Sequence, residues 1–334
     1  MLTDYFKNKA VLITGATGMI GQELVRRLIE ENTKKNLKIQ ILAHARSMEK
    51  AEKVFSEDIQ KGNITLIISD IAELTVDTPV DYIVHTAGVT GGSKQHIDFP
   101  MRTISVAIDG TRRILNLARE KKSKGVVYLS SLEVYGNPGL DREIAETEGG
   151  YIDPMNVRSS YSESKRLCEC MCAAYAKQYG VPVVSARLTA TFGPGVSYQD
   201  MRVFAQFARC IIEKKDIVLK STGETVRNYC DVSDACEAIL LLLCKGKSGE
   251  AYNIANKETE ISIKEMAETF IRLFAQQDIK LVFDLSEDAT KLGYQATMKN
   301  VLCPDKLMKL GWEPKYSLED MIRRLVLYME KNRS

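Results

Sequence analysis

Tyr161 and Lys165 form the pair with the clearest capacity for chemistry in this sequence. They lie four positions apart in a segment of helical periodicity, so both side chains project from one face of the predicted helix. An ammonium beside a phenol lowers the phenol pKa from about 10 toward neutrality. The resulting phenolate is a base that takes the proton of a substrate hydroxyl while a hydride leaves the same carbon. On its own, this spacing is also common on solvent-exposed helices.

A hydroxyl and a carboxylate follow a predicted strand near the middle of the chain. The apolar stretch 126–129 leads into Ser130, Ser131, Leu132 and Glu133. Ligands of open α/β sheets bind at the carboxyl ends of the strands. Ser131 is therefore predicted to hydrogen-bond the reacting oxygen.

The first predicted strand leads into a glycine-rich turn with the spacing GxxGxxG. Glycines permit a tight strand-to-helix turn, and the N-terminus of the following helix offers N–H groups to a pyrophosphate. Because the turn lies between a strand and a helix of one βαβ unit, it favours dinucleotide binding over simple loop geometry. The predicted cofactor contacts in this turn are Gly15, Thr17, Gly18, Met19, Ile20 and Gly21.

The residues after the second predicted strand bear on which dinucleotide binds. An Asp or Glu there favours NAD, whereas this chain has Ala45, Arg46 and Ser47. Arg46 favours NADP, because a guanidinium pairs with a 2′-phosphate; NAD stays open, and a solvated loop arginine is the alternative. Asp70 and Ile71, after the third strand, are predicted to meet the adenine ring, and an ordinary strand-end aspartate is the alternative.

Strands alternate with helices through the first half of the chain. Short apolar stretches predict strands at 10–14, 39–45, 64–68, 82–86, 126–130 and 183–188. Strands that alternate with crossover helices are typical of an α/β fold with a Rossmann-type, doubly wound parallel sheet.

After residue 188 the alternation breaks, which predicts a smaller, interleaved C-terminal substrate-binding lobe. The segment 217–226 is expected to be a strand with a turn at Thr222 and Gly223. We expect residues 1–187 to form the dinucleotide-binding domain, with residues 228–256 returning to it. Residues 188–227 and 257–334 are expected to form the lobe.

Composition excludes several classes of protein. The 46 basic and 44 acidic residues give a formal charge of +2, without the excess of positive charge typical of nonspecific nucleic-acid binding or a polybasic membrane anchor. The longest apolar run, 238–244, is too short to span a membrane, and the polar start leaves no room for a secretory signal. The eight cysteines lack CxxC pairs and partner histidines, so we expect reduced thiols, no metal site and a cytoplasmic location.

Several spaced motifs together resemble the extended short-chain dehydrogenase/reductase superfamily, in particular the NAD-dependent epimerase/dehydratase family that acts on nucleotide sugars. The motifs, in order, are GATGMIG at 15–21, HTAG at 85–88, SSLEVYG at 130–136, YSESK at 161–165, FGPG at 192–195 and LGWEPKYSLED at 310–320. The resemblance covers nearly the whole chain.

The resemblance implies roles for the residues at matching positions. Ser131, Tyr161 and Lys165 correspond to the family's Ser/Thr-Tyr-Lys set, with Tyr161 as the base and Lys165 also contacting the nicotinamide ribose. The expected cofactor contacts in the HTAG motif are Thr86, Ala87 and Gly88.

Leu132 and Glu133 bear on which reaction the family resemblance implies. Dehydratases of the family have an Asp-Glu pair here, and the Asp protonates a departing C6 hydroxyl; Leu132 cannot donate a proton, which disfavours a 4,6-dehydratase. UDP-glucuronate decarboxylases are similar to this chain in the spacing from Ser131 to Glu133 and in the stretch 154–166, PMNVRSSYSESKR. The resemblance therefore implies a decarboxylase-like site with Glu133 as a catalytic residue and Arg158 near the substrate.

The remaining predicted substrate contacts are basic. Arg202 and Arg227 match positions that bind the nucleotide diphosphate in related enzymes, and a surface salt bridge is the alternative for each. Lys299 lies near the position at which decarboxylases carry an arginine. A lysine there keeps the positive charge but lacks the paired donors of a guanidinium. The family's usual Asn two residues before Phe192 is Ala190, so the sugar stays open.

The leading hypothesis is transient oxidation at C4 of a nucleotide-bound sugar, chemistry on the ketone, and re-reduction to an epimer or a decarboxylated pentose. An NADP-dependent carbonyl reductase is an alternative, and so is a non-catalytic dinucleotide-binding module, which the presence of Tyr161 and Lys165 disfavours. The family commonly dimerises through the helices predicted at 104–121 and 162–179, so the resemblance implies a homodimer. No nucleic-acid or membrane partner is expected.

Overall fold

Seven parallel strands form the main sheet. The computed structural model describes residues 5–89, 93–275, 278–285 and 298–333. In chain order the strands are β1 (Ala10–Thr14), β2 (Gln40–Ala45), β3 (Thr65–Ile68), β4 (Tyr82–His85), β5 (Gly125–Ser131), β6 (Val183–Leu188), β7 (Ala190–Phe192), β8 (Ile217–Leu219), β9 (Val226–Asp231), β10 (Ala251–Ile254), β11 (Asn256–Ser262), β12 (Leu281–Phe283) and β13 (Lys299–Asn300). The main sheet has the order β10-β6-β5-β4-β1-β2-β3. Strand order reverses between β1 and β4, at the switch point typical of doubly wound sheets.

Helices cover both faces of this sheet. The helices are α1 (Met19–Lys35), α2 (Met48–Gln60), α3 (Ser93–Asp98), α4 (Pro100–Lys121), α5 (Ser159–Tyr179), α6 (Val203–Glu213), α7 (Val232–Lys245), α8 (Ile263–Leu273), α9 (Asp305–Met308) and α10 (Leu318–Lys331). Val11 and Ile13 of β1 lie in a hydrophobic cluster with α1 and α7, and Leu12 lies in a second cluster with α4 and α5. Successive strand side chains point to opposite faces, so the apolar β1 needs cover on both sides. The predicted Rossmann-type sheet is confirmed.

A smaller lobe lies beside the main sheet. Its four-stranded sheet pairs β9 with β7, β11 and β13, and β8 pairs with β12 in a two-stranded ribbon. Helices α6, α8 and α10 pack around a separate buried core that includes Phe192, Phe204 and Phe270. Strand β10 lies between β9 and β11 in the chain, yet it joins the main sheet. The main sheet and the lobe are therefore interleaved in sequence.

The segment predicted as a strand with a turn, 217–226, is strand only at its two ends. Strand β8 ends at Leu219, and β9 begins only at Val226 and continues through two fully buried polar residues, Asn228 and Asp231. The side-chain amide of Asn228 donates to the carbonyl oxygen of Leu302 at 2.8 Å, and its main-chain carbonyl accepts the hydroxyl of Thr189 at 2.6 Å. These hydrogen bonds between distant residues permit the burial, and they place residues 228–231 in the lobe rather than in the main sheet.

Met19, the first residue of α1, lies where the two layers meet. Its side chain packs against the core of the main sheet and against the core of the lobe. A Cβ atom placed on Gly195 would lie 3.2 Å from Met19 Cγ, so the FGPG turn passes directly over the start of α1. The division of the chain into two domains stays a prediction.

No helix in the described ranges is both long enough and apolar enough to cross a membrane. All eight cysteines lie within those ranges as free thiols, and Cys168, Cys172, Cys230 and Cys236 are buried.

Candidate active site

The carboxyl ends of β1, β4 and β5 bring the predicted motifs together. These strands are neighbours in the main sheet, in the order β5-β4-β1. Parallel strands end at the same edge, so the turn after Thr14, the segment after His85 and the side chain of Ser131 share that edge.

The glycine-rich turn has room only for glycine at two of its positions. Gly15 has a φ of +64°, and a Cβ atom there would lie 2.8 Å from Thr86 Oγ1. A Cβ atom on Gly21 would lie 2.4 Å from the carbonyl oxygen of Gly15. Helix α1 begins after Gly18, which has no side chain to cap it. The turn, with Thr17, Met19 and Ile20, therefore presents main-chain N–H groups suited to a diphosphate.

A buried histidine holds the turn to the end of β4. His85 Nδ1 lies 2.9 Å from Thr14 Oγ1, and its Nε2 lies 3.4 Å from Thr111 Oγ1 of α4. Burial lowers the pKa of His85 to about 3, so the ring is neutral. Thr86 donates to the carbonyl oxygen of Thr14 at 2.6 Å, and the Ala87 N–H donates to Thr14 Oγ1 at 3.2 Å. A Cβ atom on Gly88, by contrast, would meet nothing within 4 Å.

Tyr161 and Lys165 lie near the start of α5, facing the end of β5. The Ser131 hydroxyl hydrogen-bonds the Tyr161 phenol, and Ser131 Oγ also accepts the Glu133 N–H at 3.2 Å. The Lys165 ammonium donates to the carbonyl oxygen of Leu129 at 2.6 Å. A small cavity connects this group with the end of β4, lined by Ala87, Gly88, Thr103, Thr111, Tyr161 and Lys165.

The charges around the phenol oppose one another. Burial raises the pKa of Tyr161 to about 12 and the Glu133 carboxylate acts in the same direction, whereas the Ser131 hydrogen bond and the Arg202 charge lower it. Burial also lowers the pKa of Lys165 to about 8. Burial has the largest effect on the phenol, so in this structure its pKa lies above the expected value near neutrality.

The ring of His96, on α3, stacks on the ring of Tyr161. Their centroids are 4.5 Å apart and the interplanar angle is 28°. His96 is buried, and its Nδ1 lies 3.1 Å from Thr103 Oγ1. Sequence analysis missed both residues, because no motif includes them and the segment before α4 has no periodic pattern that would place His96 over the site.

Arg158 and Glu133 form a loose ion pair near His96. Arg158 Nη1 is 3.9 Å from Glu133 Oε2, and both side chains are partly exposed. Leu132, in contrast, is buried in a cluster with Tyr135 and Ile144. The structure thus brings the predicted Glu133 and Arg158 together and turns Leu132 away from solvent.

The other predicted basic residues occupy different surroundings. Arg202 pairs with Asp200 at 2.6 Å, and its charge still acts on Tyr161. Arg227 lies on β9 opposite Asn300 of β13. Lys299 pairs with Glu260 at 3.0 Å, which raises the lysine pKa.

At the far end of the sheet, Arg46 is exposed directly before α2. Ser47 caps this helix by accepting the Lys50 N–H at 3.2 Å. The Asp70 carboxylate accepts the Ala72 N–H at 2.9 Å. The Ile71 side chain is buried in the core, where a Cβ atom on Gly110 would lie 2.9 Å from it.

Within the described residues, no group of three or more His, Cys, Asp and Glu side chains is arranged to hold a metal ion.

Comparison with known proteins places this geometry in a family. UDP-glucuronic acid decarboxylase 6 of Arabidopsis thaliana is 28% identical over 314 residues, which cover 94% of this chain and 86% of the plant protein. The dTDP-D-glucose 4,6-dehydratase of Bos taurus is 27% identical over 339 residues, covering 97% and 89%. The crystal structure of UDP-glucose 4-epimerase from Thermotoga maritima with UDP-glucose has a TM-score of 0.81 and 21% identity, covering 97% of this chain and 100% of that one.

The dTDP-glucose 4,6-dehydratase of Bacillus anthracis, solved in complex with NAD, has a TM-score of 0.79 and 24% identity over 97% of both chains. The model of the NAD dependent epimerase/dehydratase family matches residues 11–255, which include the glycine-rich turn, Ser131, Tyr161 and Lys165. The resemblance noted from the motifs is confirmed, and the chain belongs to the NAD dependent epimerase/dehydratase family.

Proposed function

We propose that this protein oxidises C4 of a nucleotide-bound sugar transiently, with Tyr161 as the base, and that it removes the C5 carboxylate of a UDP-glucuronate-like substrate. The observation that supports this most directly is the convergence of Ser131, Tyr161 and Lys165 at the sheet edge, beside the glycine-rich turn.

The proposed dinucleotide site is the turn and the adjoining strand ends. The tight contacts at Gly15 and Gly21 and the uncapped start of α1 fit a diphosphate lying against the main chain. A bound nicotinamide dinucleotide would supply a hydride acceptor that later returns the hydride. The proposed contacts are Gly15, Thr17, Gly18, Met19, Ile20, Gly21, Arg46, Asp70, Ile71, Thr86, Ala87, Gly88, Tyr161 and Lys165.

Tyr161 would take the proton of the C4 hydroxyl. Its phenolate is stabilised by the Ser131 hydroxyl and by the positive charge of Arg202, both of which oppose the effect of burial on its pKa. Ser131 would also orient the reacting oxygen. Lys165 would hold the cofactor ribose while it stays anchored to the carbonyl oxygen of Leu129.

Decarboxylation is favoured over dehydration by the groups next to the phenol. Leu132 is apolar and buried, so no proton donor stands where the dehydratases have their Asp. A C4 ketone beside the carboxylate-bearing C5 accepts the electrons of the breaking carbon–carbon bond, so loss of carbon dioxide needs little acid assistance. Glu133 and Arg158, 3.9 Å apart and both partly exposed, would orient the sugar and its carboxylate.

The proposed substrate contacts are Arg158, Arg202, Arg227 and Lys299. The charge of Arg202 acts on Tyr161, and its guanidinium, which pairs with Asp200, has donors that match a diphosphate in pairs. Lys299 would have to exchange its ion pair with Glu260 for the substrate. Relatives that act on UDP- and dTDP-linked sugars support a nucleotide sugar as the substrate class.

Incubation with UDP-, dTDP-, CDP- and GDP-sugars, followed by mass spectrometry, tests the function. We expect a uronic-acid substrate to lose the mass of carbon dioxide without stoichiometric consumption of NADPH. Loss of the mass of water would indicate a dehydratase, and unchanged mass with altered NMR couplings an epimerase. Stoichiometric NADPH consumption, or no change in any nucleotide sugar, would overturn the proposal.

We also propose NADP as the preferred cofactor, with NAD as the alternative. Arg46 is exposed at the end of β2, next to the first turn of α2, where a 2′-phosphate would meet both the guanidinium and the helix N-terminus. The related Bacillus anthracis structure was solved with NAD, so the two cofactors must be compared directly.

A cytoplasmic homodimer is the proposed form of the protein. Free thiols at all eight cysteines, which the described ranges include, fit a reducing compartment. Helices α4 and α5 leave Met101 and Leu167 exposed at 67% and 46%, which suits a helical contact between two copies. Light scattering should give twice the chain mass, and a monomer at micromolar concentration would contradict this form. Residues 1–187 are proposed as the cofactor domain, and of the stretch 228–256 the part from α7 to β10 returns to it. Residues 188–227, strand β9 and residues 257–334 are proposed as the substrate lobe.

A further inference from the structure

His96 covers one face of the Tyr161 ring. The near-parallel rings, with centroids 4.5 Å apart and planes inclined by 28°, leave that face of the phenol in contact with imidazole rather than with solvent. His96 is itself only 8% exposed. A second link joins the two elements, because the Ser160 hydroxyl donates to the carbonyl oxygen of His96 at 3.3 Å.

Thr103 determines how the His96 ring is held. The Thr103 hydroxyl can donate to the carbonyl oxygen of Phe99 at 3.3 Å. The same hydroxyl lies 3.1 Å from His96 Nδ1, where it accepts a hydrogen bond from a protonated Nδ1 or donates one to an unprotonated Nδ1. The ring is fixed at one edge by α4 and at one face by Tyr161, and it has little freedom to rotate.

The charges around His96 favour a neutral ring. Burial lowers the pKa of His96, the positive charges of Arg158 and Lys165 act in the same direction, and the Glu133 carboxylate opposes them. Glu133 and Lys165 also lie near the Tyr161 ring, so the neutral imidazole contacts the phenol among charged groups.

We propose that His96 is a positioning residue for Tyr161: its ring, anchored by Thr103, fixes the plane of the phenol and keeps water from one face of it. The kinetic consequence depends on the proposed function, in which Tyr161 is the base. The effect of His96 on the position and solvent exposure of the phenol is independent of that function. A base displaced from its reacting proton loses rate without losing substrate affinity, so the role predicts a change in kcat and not in KM.

Two substitutions distinguish the contribution of the stacked ring from that of its hydrogen bond. His96→Ala removes the stacked ring, whereas His96→Phe keeps an aromatic face but cannot form a hydrogen bond with Thr103. We expect kcat to fall about 10- to 100-fold in His96→Ala, with KM within about 3-fold of wild type, and most of that loss to be recovered in His96→Phe. Equal losses in the two variants, or wild-type kcat in His96→Ala, would overturn the proposal.

Thr103→Val provides a second test, because it removes the anchor and leaves the ring. We expect an intermediate loss of kcat in Thr103→Val alone. In the His96→Phe background the same change should cost nothing further, since the phenylalanine ring makes no hydrogen bond there. Additive losses in the double variant would contradict a shared role.

The titration of Tyr161 tests the stack without any substrate. Proteins with ¹³C-labelled tyrosine, assigned by Tyr161→Phe, report the ionisation of this phenol by NMR. We expect its pKa to fall toward the ordinary tyrosine value in His96→Ala, because water reaches the ring, and to stay high in His96→Phe. An unchanged titration in folded His96→Ala would overturn the proposal. If no nucleotide sugar reacts with the wild type, the proposed function fails while this measurement still decides the role of His96.

Discussion

The ammonium of Lys165 lies 5.8 Å from the centre of the Tyr161 ring, and its hydrogen bond goes to the main chain of β5 at Leu129 rather than to the phenol. The same ammonium lies 4.7 Å above the ring of Tyr128. Lys165 is thus held by the strand that also positions Ser131. The position of the lysine is set by the sheet, so substitutions at Tyr161 should leave Lys165 in place.

Tyr161→Phe should lower turnover by about 100- to 10,000-fold, because the base is lost while ring packing is kept. Dinucleotide affinity should change by less than about 3-fold, since the turn that binds the diphosphate is untouched. Steady-state kinetics and calorimetric titration measure the two effects. The matched control is Tyr175→Phe on the same helix, where the lost hydroxyl donates to Asn116 at 2.9 Å. Turnover that survives in Tyr161→Phe would remove the proton-transfer role.

Gly21→Ala should weaken dinucleotide binding by about 10-fold or more. The added Cβ would lie 2.4 Å from the carbonyl oxygen of Gly15, so the turn must open and its N–H groups must move. Gly149→Ala is the control, because a Cβ atom there would meet no atom within 4 Å. Calorimetric titration with NAD and NADP compares the two. Unchanged affinity in Gly21→Ala would place the diphosphate elsewhere.

Arg46→Asp should raise the dissociation constant of NADP by about 10- to 100-fold and leave that of NAD within about 3-fold, because charge-assisted hydrogen bonds to the 2′-phosphate are lost. Lys53→Asp, with the same change of charge on an exposed position of α2, is the control. Equal affinities for NADP in wild type and Arg46→Asp would show that Arg46 does not bind the 2′-phosphate and is a solvated loop arginine.

His85 should make the stability of the protein depend on pH in mildly acidic solution. Burial lowers its folded pKa to about 3 from 6.5, so between these values the unfolded chain binds more protons than the folded one. Stability contributed by the neutral ring is complete above pH 6.5 and is lost as the pH falls toward 3, at up to about 1.4 kcal/mol per pH unit.

Replacing His85 with Gln, which does not titrate, should flatten this slope. Urea unfolding of wild type and His85→Gln at several pH values between 4 and 7.5 measures the difference. His44, His96 and the carboxylates titrate in both proteins, so they cancel in the comparison. If the free energy of unfolding changed with pH equally in both proteins, protonation of His85 would not destabilise the folded state.

The parts of the site that follow from local sequence were predictable. The glycine-rich turn needs a particular backbone, and Tyr161 and Lys165 share a helix face through their spacing alone, so both were found without tertiary information. The main sheet followed for the same reason, because β1 and its neighbours are short apolar segments that alternate with helices.

The residues that sequence analysis missed depend on contacts between distant segments. Asn228 and Asp231 look unsuited to a strand until Leu302 and Ser233 supply their partners. His96 reaches Tyr161 only because α3 folds over the start of α5. The elevated phenol pKa likewise arises from burial, which no spacing between Tyr161 and Lys165 encodes.

Met19 connects the cofactor turn to the stability of the whole molecule. Since its side chain fills space in both hydrophobic cores, heat should not melt the small lobe while the large sheet stays intact. A dinucleotide that braces the first turn of α1 would thus raise the melting temperature of both halves together, in a single cooperative transition.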